Sequence, residues 1–182
     1  MGWLNATWTG WLLLCIAAHE AGHLAALRLT GAPVLGLRLS LRGAVIRTGL
    51  MGYGQEAVCA AAGPAASLLL GAGLLRAAPE AGLLSLGLAA VNLLPLYPLD
   101  GGRILAAVLL RAAPRRACAV LSRVSFMVCG LLMLLACWGT AALQMGLWPI
   151  FVALILLCRA GNTEKQLLFS KRRDKMEEQE KR

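Results

Sequence analysis

The sequence predicts an all-α polytopic membrane protein. It is expected to be a bundle of about five transmembrane helices, with a short amphipathic β-hairpin or re-entrant strand after the first span and a broken helix in the third. Three observations predict this. Of 182 residues, 59% are apolar and 15% charged, and the mean hydropathy is +0.70. Soluble domains hold roughly 45–50% apolar residues, and a chain of this length cannot bury such an excess in one water-exposed core. The apolar residues also come in runs close to the roughly 20 residues that cross a bilayer. Finally, nearly all the basic residues are scattered between those runs or clustered in the tail from Arg159 to Arg182.

The first span is expected over about Trp8 to Leu29. Trp3, Trp8 and Trp11 at its amino-terminal edge fit an interfacial aromatic belt. Between residues 31 and 52, Leu37, Leu39 and Leu41 alternate with Arg38, Ser40 and Arg42. A period of two reads as strand. Gly43 and Ala44 are expected to turn it, and Val45 and Ile46 to return, at the membrane surface or dipping into it. The second span is expected over about Gln55 to Leu75, rich in Ala, Gly and Leu, whose small side chains let helices approach closely in lipid. A loop at Arg76 to Ala81 leads into a third apolar segment from near Gly82. Pro95, Pro98 and Gly101-Gly102 should break that helix, because proline lacks the amide hydrogen a helix interior needs. Irregular backbone at membrane depth is tolerated where it is buried in protein or faces a cavity. Residues 92 to 103 are therefore marked as part of a site. A helix should resume from Arg103 to Leu110, and two further spans are expected at about Ala117 to Trp138 and Ala141 to Cys158. The chain thus divides into a membrane domain over residues 1–160 and a basic, charged tail over 161–182.

The net charge of +9 follows the same layout. With loops assigned alternately, only Arg76 of the 18 Lys and Arg falls on the outer side. The amino terminus is therefore expected outside and the carboxyl tail in the cytoplasm. Lys171-Arg172-Arg173 in the tail reads as an anchor on anionic headgroups. Scattered between apolar runs and with few aromatics beside it, this charge argues against nucleic-acid binding. The six cysteines (Cys15, Cys59, Cys118, Cys129, Cys137 and Cys158) sit almost wholly in apolar stretches without a CxxC pair. That argues against a disulfide framework or a thiolate metal site. The first 30 residues lack a basic leading segment and carry ionisable groups in their apolar run, so no removable signal peptide is expected.

Those ionisable groups are the chemical signal. His19-Glu20-Ala21-Gly22-His23 is an HExxH string, and its histidines are the only two in the chain. Residues four apart on a helix share a face, so both imidazoles can bind one zinc ion. Glu20, rotated away from both, can act as general base on a metal-bound water. Ionisable groups inside a span cost roughly 2.5–3.5 kcal/mol each and are functional by default. With a rise of 1.5 Å per residue, His19 is expected roughly 13 Å above Arg28, submerged but nearer the cytoplasm. A catalytic zinc takes a third protein ligand and keeps its fourth position open. Among the few acidic residues only Asp100 is embedded in an apolar run, beside the expected helix break. It is the candidate third ligand, with capping of the resuming helix as its other reading.

These motifs resemble the site-2 protease family of intramembrane zinc metalloproteases. HEAGH is similar to that family's HExxH span, and Asn92-Leu93-Leu94-Pro95-Leu96-Tyr97-Pro98-Leu99-Asp100-Gly101-Gly102-Arg103 to its second motif. Gly63-Pro64-Ala65-Ala66-Ser67 is similar to its small-residue motif on the intervening span. The resemblance covers about residues 8 to 160. It implies that Asp100 is the third zinc ligand and that Asn92 lies near the substrate or the developing oxyanion. Within the family the nearest resemblance is to the stage IV sporulation protein FB type. That type carries a further span before the HExxH helix, which is not expected here, and the nucleotide-sensing or PDZ-like domains of other relatives are not expected either.

The expected function is hydrolysis of peptide bonds in or near transmembrane segments of membrane-tethered proteins, with one Zn2+ per chain. Glu20 would take a proton from the attacking water and pass it to the leaving amine. The strand at Leu37 to Leu41 offers an edge to which an unwound substrate can add, with a simple amphipathic surface loop as its other reading. The resemblance implies a bacterial cytoplasmic or forespore membrane and regulatory membrane proteins as partners. As substrate it implies a membrane-tethered transcription-factor precursor, an anti-sigma factor or a signal-peptide remnant, and the sporulation likeness favours a sigma-factor precursor. No nucleic-acid partner is expected. Two other classes compete: a membrane metal-binding or transport protein, and a catalytically silent scaffold. A transporter needs a path of polar groups, and this chain has one ionisable cluster. A silent scaffold tends to lose one of His19, Glu20, His23 and Asp100, and all four are present.

Overall fold

The computed structural model describes residues 6–31, 34–40, 43–48, 51–143 and 148–160. Among these residues, six helices and two strands follow in the order α1 (Ala6–Leu29), β1 (Val34–Ser40), β2 (Gly43–Thr48), α2 (Tyr53–Leu74), α3 (Pro79–Asn92), α4 (Asp100–Ala112), α5 (Ala117–Leu143) and α6 (Trp148–Ala160). They fall into two compact units, Met1–Leu93 and Leu94–Arg182.

In the first unit α1 runs for 24 residues and stops at a two-part cap. Thr30 returns both its backbone N–H and its hydroxyl to the Ala26 carbonyl, at 2.9 and 2.8 Å. Gly31 then adopts φ +65°, the left-handed conformation that ends helices and that glycine takes without a Cβ penalty. β1 and β2 pair antiparallel, with Leu37 opposite Ile46 and Leu39 opposite Ala44. The expected turn at Gly43 and Ala44 is displaced: both residues belong to β2, opposite Ser40 and Leu39. The strands are joined through residues 41 and 42, which lie outside the described residues. Gln55 joins the two roots of this excursion. Its Oε1 accepts the Gly52 N–H at 3.1 Å and its Nε2 donates to the Thr30 carbonyl at 3.2 Å.

α1, α2 and α3 pack on one another through small residues. A Cβ at Gly22 would lie 2.5 Å from the Ala62 carbonyl oxygen, and one at Gly82 only 2.9 Å from the Leu75 nitrogen. Larger side chains there would hold the helices apart. Ala26, Leu27 and Cys59, with Met51 and Ala62 against them, form the apolar core beneath. α3 begins with Pro79, tolerated in a first turn whose amides have no intrahelical acceptor.

In the second unit α5, 27 residues long, is the main element. The chain entering α4 folds Leu96 against Cys129, and Ala106 of α4 packs on Leu121. The Tyr97–Pro98 peptide is cis.

Among the described residues, three helices are long and apolar enough to cross a bilayer: Thr7–Leu29, Tyr53–Leu74 and Ala117–Ala142. Most of each stays exposed within the fold, as a lipid-facing surface should. The sequence reading expected five spans. α3 and α6 have 14 and 13 residues, roughly 20 Å each and short of the roughly 30 Å hydrocarbon core. α3 stops at Asn92 because prolines follow. α5 continues past Trp138 to Leu143, since Gly139 and Thr140 are tolerated in a helix. α6 therefore starts later, with Pro149 in its first turn. α4 begins at Asp100 rather than Arg103, because extended Leu99 serves as its N-cap.

Candidate active site

α1 carries the HExxH string at the depth where it packs on α2. The four-residue spacing brings His19 Nε2 and His23 Nε2 to 3.2 Å, with ring centroids 4.8 Å apart and planes at 82°. His19 is 5% exposed and His23 half-buried. Each ring is held from behind by an oxygen of α2: His19 Nδ1 lies 2.9 Å from Ser67 Oγ, and His23 Nδ1 lies 2.7 Å from the Cys59 carbonyl oxygen. Space for the His23 ring exists because residue 63 is glycine, where a Cβ would fall on the imidazole itself. Pro64 follows. It supplies no amide to the Ala60 carbonyl and so loosens the helix beside Cys59.

This donor set fits a divalent metal ion. Metal-ligating histidines present one nitrogen and hydrogen-bond an oxygen with the other. Two nitrogens about 2.05 Å from a tetrahedral zinc would be about 3.3 Å apart, close to the separation here. Glu20 is exposed, about 100° around the helix from His19, so its carboxylate stands clear of the oxygens that hold the imidazoles. Asn92 is the last residue of α3 and half-buried. Its Nδ2 donates to the Leu88 carbonyl at 3.0 Å, which leaves the second hydrogen of that amide for another acceptor.

Asp100 belongs to the second unit. It is the first residue of α4 and only 7% exposed. A carboxylate there faces the positive end of the helix dipole. Arg103, one turn on, places Nη1 at 3.5 Å from Asp100 Oδ1. A Cβ at Gly102 would fall on the backbone of Leu96 and Tyr97, so the loop before α4 folds tightly over its first turn. Leu99 N–H donates to the Leu96 carbonyl at 2.7 Å and closes that loop.

Sequence reasoning placed Ser67 only in a small-residue motif and missed its contact with His19, and it missed Ser85 and the Cys59 carbonyl altogether. Ser67 and Ser85 are fully buried, and the Ser85 hydroxyl donates to the Ser67 carbonyl at 2.8 Å. A signal for Ser67 was present: a serine four residues after Gly63, on an apolar helix where hydroxyls need partners. The Cys59 carbonyl carries no side-chain signature at all.

Residues 72–135, just over a third of the chain, match peptidase family M50. The match takes in Asn92 and Asp100 and lies beyond the HExxH string. No curated protein matches the sequence. Among solved structures, the chain is similar to "Site-2 Protease from Methanocaldococcus jannaschii", at 24% identity over 90% of this chain and 80% of that one, with a TM-score of 0.67. The chain therefore carries a segment matching peptidase family M50 in a fold similar to that of a site-2 protease.

Proposed function

We propose that the protein is an intramembrane zinc metalloprotease, in which His19, His23 and Asp100 hold the metal and Glu20 is the general base. The observation that carries this is the pair of imidazoles on a membrane-length helix, with facing Nε2 atoms 3.2 Å apart and both Nδ1 atoms on oxygen. The M50 match and the site-2 protease likeness support the same reading.

A bound zinc supplies a Lewis acid for the scissile carbonyl and lowers the pKa of water toward about 7. Glu20 takes the proton of the attacking water and delivers it to the leaving amine. Asn92 turns its second amide hydrogen to the developing oxyanion, a contact worth about 2.7–4 kcal/mol in other hydrolases. The substrate is a membrane-tethered protein whose transmembrane segment unwinds before attack and adds to the edge of β1. The sporulation likeness directs the first search to sigma-factor precursors, with regulatory membrane proteins as partners. Five crossings, with the amino terminus outside and the tail cytoplasmic, complete the proposed topology.

The test is bound metal per chain in mild detergent, for the parent and for His19→Ala and Asp100→Ala. The expected result is about one zinc, lost or much reduced in both variants. Zinc that survives Asp100→Ala removes the third-ligand assignment, and no zinc in the parent removes the proposal.

A further inference from the structure

The two oxygens behind the imidazoles differ in kind. A backbone carbonyl only accepts hydrogen bonds, whereas a serine hydroxyl donates and accepts. The Cys59 carbonyl, 2.7 Å from His23 Nδ1, therefore holds a proton on that nitrogen and leaves the Nε2 lone pair for a metal. Ser67 Oγ, 2.9 Å from His19 Nδ1, satisfies either tautomer of neutral His19. Only as an acceptor does it leave the His19 Nε2 lone pair available.

Ser67 is also placed so that nothing else can take its part. It is fully buried, so water does not replace its hydroxyl. Its backbone carbonyl is tied to α3 by Ser85 at 2.8 Å. Its distance from His19 follows from the close contact of α1 and α2 at Gly22 and Gly63.

We propose that Ser67 is a positioning residue for the metal. It accepts the His19 Nδ1–H, holds that imidazole in the tautomer whose Nε2 binds the ion, and is itself steadied by Ser85. This rests on the metal-site reading above.

The experiment uses the full chain, purified without a histidine tag, and measures zinc affinity by competition with a chromophoric chelator. Nitrogen-15 spectra of the imidazoles accompany it, and the two histidines of the chain make them assignable. In the zinc-loaded parent both rings should carry the proton on Nδ1. Ser67→Ala should bind zinc about 10- to 100-fold more weakly, with the His19 signals changed and those of His23 retained. Ser67→Thr, which keeps the hydroxyl, should recover most of the affinity, and Ser85→Ala should lose only a few-fold. Gly71→Ala, which crowds Leu86 of α3 away from the histidines, should lower thermal stability without changing zinc affinity. Parent-like affinity in Ser67→Ala overturns the inference while leaving the metal site standing. An equal loss in Gly71→Ala overturns it as general loosening of the helices. A parent that binds no zinc removes both the inference and the reading beneath it.

Discussion

The histidines and the aspartate are supported in opposite ways. The imidazoles take their hydrogen bonds from another helix, with partners 48 and 36 residues away in sequence. Their geometry holds only while α1 and α2 stay in close contact at Gly22 and Gly63. Asp100 is supported locally: by the amino terminus of α4, by Arg103 three residues on, and by the Leu96–Tyr97 backbone that Gly102 admits. The proposed metal site should therefore be fragile where the histidines depend on the helix contact and robust in the segment around Asp100.

The largest expected effect tests whether these supports serve catalysis at all. Glu20→Gln should lower cleavage by about 10²–10⁴-fold, the usual contribution of a general base, while bound zinc per chain is unchanged. Cleavage at the parent rate would remove Glu20 from the mechanism. Gly63→Ala comes next. Its methyl group falls on the His23 ring, so it should cost about 1–3 kcal/mol of stability and weaken zinc binding more than tenfold, read by thermal melting and chelator competition. Gly102→Ala should cost a similar about 1–3 kcal/mol but reduce zinc affinity less, because the local segment can shift as a piece. If Gly102→Ala proves the more damaging to zinc, the contrast between long-range and local support is wrong. The smallest effect is expected at Arg103. Its ion pair with Asp100 is long and the arginine side chain 36% exposed, and such pairs contribute well under about 1 kcal/mol. Arg103→Met should change zinc affinity by no more than a few-fold, and Arg103→Lys by less.

Much of this was legible in the sequence because it depends on local spacing. Histidines four apart share a helix face whatever surrounds them. Prolines at 95 and 98 forced α3 to end by Asn92, with Asp100 at the start of the next helix. The apolar runs foretold α1, α2 and α5 to within a few residues. Other boundaries were not legible. α5 runs past Trp138 because nothing in Gly139-Thr140 must stop a helix, and the strand register moved the turn away from Gly43, because pairing across the ladder outweighs a local turn preference. The short lengths of α3 and α6 likewise come from where flanking prolines end or start a helix, not from where apolar composition ends.

By itself the sequence determined that two imidazoles share one face of an apolar helix, with the Glu20 carboxylate rotated to one side of them, since rise and rotation per residue are properties of the backbone. Only the tertiary structure decided which atoms hold those imidazoles. That choice depends on how closely α1 and α2 approach, and on the coincidence of a buried hydroxyl at Ser67, an accessible carbonyl at Cys59 and an absent side chain at Gly63. Each is set by contacts between residues far apart in the chain, which local spacing does not encode.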